Sequence, residues 1–83
     1  MTVSIKIFPI VGLCERQLDM EITLEEERPM SEVLNLLDSR LGENFSKSSK
    51  LMFLLNGHIL EKREEVIVRD GDNLWLLPHL SGG

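Results

Sequence analysis

The chain has 83 residues, a net charge of −5 and a single cysteine. That length makes one domain, enough for a helix on a sheet but short of the walls a deep catalytic cleft needs, which counts against a stand-alone enzyme. The nine Lys and Arg residues are scattered from Lys6 to Arg69 and form no basic stripe, so nothing is built to neutralise nucleic-acid phosphates. Cys14 alone can form no internal disulfide, which fits a reducing compartment. Met1-Thr2-Val3-Ser4 lacks the basic and apolar regions of a signal peptide, and no apolar run approaches a membrane span. A soluble, cytoplasmic protein with neither nucleic acid nor membrane as partner is expected.

Val3, Ile5 and Ile7 alternate with Ser4 and Lys6, the period of a strand with one buried face. Pro9 and Gly12 interrupt it. Leu18, Met20, Ile22 and Leu24 then alternate with Gln17, Asp19, Glu21 and Thr23, giving a second strand and a hairpin between the two. Glu25-Glu26-Glu27 is a charged exit. The period changes at Met30, Val33, Leu34, Leu37 and Leu41, which fall at helical spacing. Pro29 suits the first helical turn, Glu32 and Arg40 suit the two ends of the dipole, and Gly42 is a stop. Residues 43–50 are polar and serine-rich and read as a loop.

Leu51-Met52-Phe53-Leu54-Leu55 is a third strand, Asn56-Gly57 a turn, and His58-Ile59-Leu60 a short fourth strand. Residues 61–65 are charged and read as exposed, too short and too weakly amphipathic for a second helix. Val66-Ile67-Val68 leads into the turn Arg69-Asp70-Gly71-Asp72. Asn73 to Leu77 is the last strand, with Pro78 unable to donate to a continuing ladder. Two strands, a helix and returning strands predict an α+β fold of β-grasp type. It has a mixed sheet of four to five strands, one main helix on one face, a domain over 1–77 and an extended tail over 78–83. A ferredoxin-like layer would need a second full helix.

The third and last strands do not alternate. Leu51, Phe53, Leu55, Leu74 and Leu76 can face the helix. Met52, Leu54, Trp75 and Leu77 then turn outward, and form one apolar patch if those strands are neighbours. Exposed patches containing Trp and Met mark protein interfaces; the competing reading is that loops cover this face.

The sequence ends Leu80-Ser81-Gly82-Gly83. Two final glycines occur by chance in roughly one chain in 200, so their context has to carry the argument. Without side chains they can thread a channel too narrow for other residues. A terminal carboxylate is ionised near neutral pH and is a poor electrophile, so it must be activated before it accepts sulfur or an amine. Gly12, Gly42, Gly57 and Gly71 stand alone and make no phosphate-binding loop. No bound cofactor is therefore expected, and any ATP is used by an activating partner. The competing reading is a frayed terminus.

Other chemistry is thin. His58 and His79 lack metal-ligand spacing, so no metal site is expected. Cys14 has no evident base beside it, and Asp70 and Asp72 around Gly71 read as ordinary turn chemistry.

The stretch Val68-Arg69-Asp70-Gly71-Asp72-Asn73-Leu74-Trp75-Leu76-Leu77-Pro78-His79-Leu80-Ser81-Gly82-Gly83 closely resembles the C-terminus of the small subunit of molybdopterin synthase, in the MoaD/ThiS family of ubiquitin-like sulfur carriers. That family shows an acidic-Gly-acidic turn, an apolar strand, a proline, an aliphatic residue and a final Gly-Gly. Asn56-Gly57, the helix start at Met30 and the first strand ending near Phe8 also fit, and His79 departs where many members carry a second proline.

The resemblance implies that an E1-like adenylating enzyme joins AMP to Gly83 and that a sulfur donor protein converts the carboxylate to a thiocarboxylate. The large subunit of molybdopterin synthase would then accept the tail for molybdenum cofactor biosynthesis. Gly83 carries over as the modified residue, with Gly82, Ser81, Leu80 and Pro78 positioning the tail. Carriers of the thiamine, cysteine or tungsten-cofactor pathways, a ubiquitin-like modifier and a non-catalytic β-grasp interaction domain are the alternatives. Thiamine-pathway carriers are usually shorter, with a tighter first hairpin.

Overall fold

In the computed structural model, which describes residues 1–60 and 66–79, alternation makes the first hairpin. β1 (Thr2–Ile7) turns Val3, Ile5 and Ile7 inward and pairs antiparallel with β2 (Leu18–Thr23), Val3 opposite Ile22 and Ile5 opposite Met20. The 8–17 connection is closed by a bridge between Ile10 and Cys14, both buried, and passes through positive φ at Gly12.

The helix α1 (Met30–Leu41) buries Met30, Val33, Leu34 and Leu37 against the sheet. It ends on Gly42 in the left-handed region (φ 66°), whose N–H donates to the Asp38 carbonyl at 2.8 Å. Pro29 differs from the expected first-turn position. It is the N-cap, extended at φ −61° and ψ 151°. With Arg28 it forms β3 (Arg28–Pro29), paired with β6 (Ile67–Val68) in a second, two-stranded sheet. A two-residue pair made by contacts some 40 positions apart has no periodicity to announce it.

The 43–50 stretch is also more than a loop. Phe45–Lys47 is a 3₁₀ turn with Phe45 wholly buried. The Asp38 carboxylate holds it, accepting from the Phe45 N–H at 2.6 Å, the Ser46 N–H at 3.2 Å and the Ser46 hydroxyl at 2.6 Å. Burying a full aromatic side chain offsets the ordering of this polar segment.

β4 (Leu51–Leu55) and β5 (His58–Leu60) form the second hairpin, with positive φ at both Asn56 (52°) and Gly57 (82°), as its two-residue turn requires. β7 (Asn73–Pro78) then enters the middle of the sheet, giving the order β2-β1-β7-β4-β5. It runs parallel to β1 and antiparallel to β4, so the five-stranded sheet is mixed and α1 covers one face. This is the ubiquitin-like β-grasp arrangement. Residues 61–65, and the tail residues Leu80, Ser81, Gly82 and Gly83, lie outside the described residues.

Candidate functional site

β7 sits at the centre, and its parity sorts its side chains. Leu74 and Leu76 are fully buried beneath α1, while Trp75 and Leu77 turn to the other face. In β4, Leu51 and Phe53 are buried and Met52 and Leu54 are half-buried on that same outer face. The register sets Met52 directly opposite Leu77 and Leu54 directly opposite Trp75. The four residues that the sequence suggested as a patch are therefore brought together.

The patch is wider than that reading. Ile59, 60% exposed, stands opposite Leu54 on β5. Phe8 packs its ring against Trp75, with centroids 5.3 Å apart and planes tilted by 55°. The Lys6 ammonium lies 5.3 Å from the Trp75 ring centroid and 3.8 Å from Asp19 Oδ1, so it bridges the aromatic surface and the acidic residues of β2. The signal for Phe8 was available, since Ser4, Lys6 and Phe8 continue one period-two face.

Trp75 remains 39% exposed at the middle of this face. On one side is a depression lined by Ser4, Lys6, Asp19, Glu21 and Asn73. On the other is one lined by Leu54, Asn56, Gly57 and Asn73. An indole standing between two depressions, with aliphatic neighbours and an acidic flank, is suited to insertion into a complementary partner surface.

The start of β7 is tied down. Asp72 accepts from the Arg69 N–H at 2.8 Å and from the Asn56 side-chain amide at 3.0 Å. Asn56 in turn accepts from the Asn73 N–H at 2.8 Å through its side-chain oxygen. Asp70 accepts from the Thr2 N–H at 2.7 Å, and the Gly71 N–H donates to the Thr2 carbonyl at 2.9 Å. Asp70 and Asp72 thus exceed ordinary turn chemistry: they fasten β1, β7 and the β4–β5 turn into one knot. Sequence spacing gives no hint of the Asn56 contact, because it joins two turns 16 positions apart.

The far end of β7 is where the tail begins. The strand extends through Pro78, which stands opposite Leu51, and the His79 N–H donates to the Lys50 carbonyl at 2.8 Å. The ladder to β4 therefore continues past the expected end at Leu77. Bonding toward β4 falls on alternate residues, including Asn73 and His79, so Pro78 occupies a position whose N–H would face away from β4. Its missing donor falls on the β1 side instead, where the last bond is from the Phe8 N–H to the Leu76 carbonyl at 2.9 Å and Pro9 follows. Pro78 ends the pairing with β1 and leaves the pairing with β4 intact. Leu80, Ser81, Gly82 and Gly83 follow directly, outside the described residues.

Cys14 is buried, and its thiol lies 3.7 Å from the Arg16 carbonyl. Among the described residues no group of three His, Cys, Asp or Glu side chains is placed to hold a metal ion. Among them also, no helix is long and apolar enough to cross a membrane.

The fold and this arrangement can be set beside known proteins. No curated protein matches the chain. Among solved structures it is similar in fold to a chain of the complex of subunits 1 and 2 of molybdopterin-converting factor from Helicobacter pylori 26695. The match has a TM-score of 0.55 and 23% identity, and covers 100% of both chains. The model of the ThiS family matches residues 5–83, from the first strand through the final glycine. The chain belongs to the ThiS family, whose members are small sulfur-carrier subunits and are not catalysts themselves.

Proposed function

We propose that this protein is the sulfur-carrying small subunit of a molybdopterin synthase, with the Gly83 carboxylate as the group that is charged and discharged. The observation that carries the reading is the end of β7. A strand held to β4 as far as His79 leads directly into Leu80-Ser81-Gly82-Gly83. Four residues span at most about 14 Å, so a partner must close on the domain to reach the carboxylate. The apolar face around Trp75 is where it would do so.

The chemistry is divided between proteins. An E1-like adenylating enzyme binds ATP, and the Gly83 carboxylate attacks the α-phosphorus, releasing pyrophosphate and leaving an acyl-adenylate. A sulfur donor protein then delivers a sulfur nucleophile at the sulfide level to the acyl carbon. AMP leaves with the C–O electron pair, and a thiocarboxylate remains. The large synthase subunit would accept the tail and consume that sulfur. The complex of two subunits seen for the Helicobacter pylori protein supports a large-subunit partner of this kind. Gly82 and Ser81 allow passage through a narrow channel, and Leu80 and Pro78 set the direction of entry.

The long 8–17 connection between β1 and β2 favours the molybdopterin assignment over the thiamine pathway, whose carriers usually have a tighter first hairpin. The test is reconstitution. With the large subunit and the pterin precursor, thiocarboxylated protein should yield the dithiolene product. Transfer to a thiazole precursor instead would reassign the pathway. Branched Gly–Lys conjugates without any thiocarboxylate would make the protein a modifier.

A further inference from the structure

β2 lies at the edge of the sheet, with β1 on one side and no described strand on the other. Which of its backbone groups are free follows from the register. Met1 and Leu24 exchange two bonds, the Met1 ammonium to the Leu24 carbonyl and the Leu24 N–H to the Met1 carbonyl, each 2.9 Å. Alternation then gives bonded pairs at Val3 with Ile22, Ile5 with Met20 and Ile7 with Leu18. Asp19, Glu21 and Thr23 fall between them, so their N–H and C=O groups point away from β1. An open row of this kind is a template for another strand.

Two further features flank that row. On the helix side the seam is incompletely closed. Leu18 and Met20 of β2 and Leu36 of α1 are only partly buried. A groove of about 310 Å³ beside Leu36 is lined by Thr23, Leu24 and Val33 together with the charged Glu25, Arg28, Glu32 and Arg40. On the other side Asp19 and Glu21 are exposed. Lys6 lies near Asp19, and among the described residues Glu21 has no ion-pair partner.

We propose that the β2 edge accepts an extended segment of a partner protein by strand addition, and that this segment alternates basic and apolar residues. Its backbone would pair with Asp19, Glu21 and Thr23. Its apolar side chains would cover Leu18 and Met20 on the helix side, and its basic side chains would lie beside Asp19 and Glu21. A second copy of this chain is the poorer occupant. Antiparallel pairing of β2 with itself centred on Met20 sets Asp19 against Glu21, and pairing centred on Glu21 sets carboxylate against carboxylate. The same charges that select a basic strand therefore block self-association. This surface is separate from the Gly83 chemistry and needs neither ATP nor the tail.

The experiment uses the full chain and a blocked synthetic peptide of alternating lysine and valine, followed by amide hydrogen exchange. Binding should slow exchange at Asp19, Glu21 and Thr23 by at least about tenfold. A peptide methylated on alternate backbone nitrogens should give no such protection. Glu21→Lys should weaken binding about tenfold, while Glu43→Lys, the same charge change away from the edge, should leave it unaltered. Equal binding of the methylated peptide would reduce the effect to charge attraction and overturn the proposal. So would protection confined to the Trp75 face, or no binding at about 1 mM peptide. Protection that appears on raising the protein concentration alone would assign the edge to a second copy instead.

Discussion

The two ends of β7 are held in opposite ways. At its start, Asp70, Asp72 and Asn56 join three segments through side-chain and backbone bonds between 2.7 and 3.0 Å. At its end, Pro78 breaks the pairing with β1, and the last described bond is the His79 N–H to the Lys50 carbonyl. One end fixes the strand in the core, and the other passes the chain on to four residues that end in two glycines. Under the proposed function, the first end secures the domain and the second leads to the residue that reacts. Stability and chemistry should then separate under mutation.

Deleting Gly82 and Gly83 should give the largest functional effect, complete loss of adenylation and sulfur loading, with no change in the thermal midpoint. Pyrophosphate release and differential scanning fluorimetry read the two halves. Leu76→Ala, two residues before Pro78 but fully buried, should do the reverse. It should cost about 2–5 kcal/mol, seen as a shifted urea midpoint, and lower activity only through the folded fraction.

Trp75→Glu tests the face between these extremes. It should weaken association with the large subunit or the adenylating enzyme by about 2 kcal/mol, roughly thirtyfold in Kd by calorimetry, with little change in stability. Loss of folding in this variant would place the indole in the core and break the comparison.

Asp72→Ala sharpens it at the fixed end. Losing its bonds to Arg69 and Asn56 should cost about 1 kcal/mol, a fall of about 4–8 °C in midpoint with sulfur loading unchanged. The smallest effect is expected from His79→Pro, which removes a single backbone donor to Lys50. It should lower the midpoint by a few degrees, on the order of 0.5–1 kcal/mol.

Much of the domain could be read from periodicity, for a physical reason. Val3, Ile5 and Ile7, and then Met30, Val33, Leu34 and Leu37, are buried by the element each belongs to, so local spacing carries the information. The patch of Met52, Leu54, Trp75 and Leu77 was legible because strand parity is local. Its assembly needed only β4 and β7 to be neighbours, as they are. What escaped depends on contacts distant in sequence. The pairing of Arg28–Pro29 with Ile67–Val68, the cap that Asp38 places on Phe45 and Ser46, and the Asn56–Asp72 bond are all of this kind. Pro78 was read correctly as a missing donor, but only the register shows which neighbour loses it. The terminal glycines lie outside the described residues, so their role rests on the sequence and on the family match that runs through Gly83.

The most direct test of the central claim is the intact mass of the protein after incubation with its adenylating enzyme, ATP and a sulfide-level donor. Exchange of one carboxylate oxygen for sulfur, mapped by fragmentation to Gly83 and absent without ATP, is the predicted result. An unchanged mass alongside active turnover of a control carrier, or sulfur found on Cys14 instead, would contradict it.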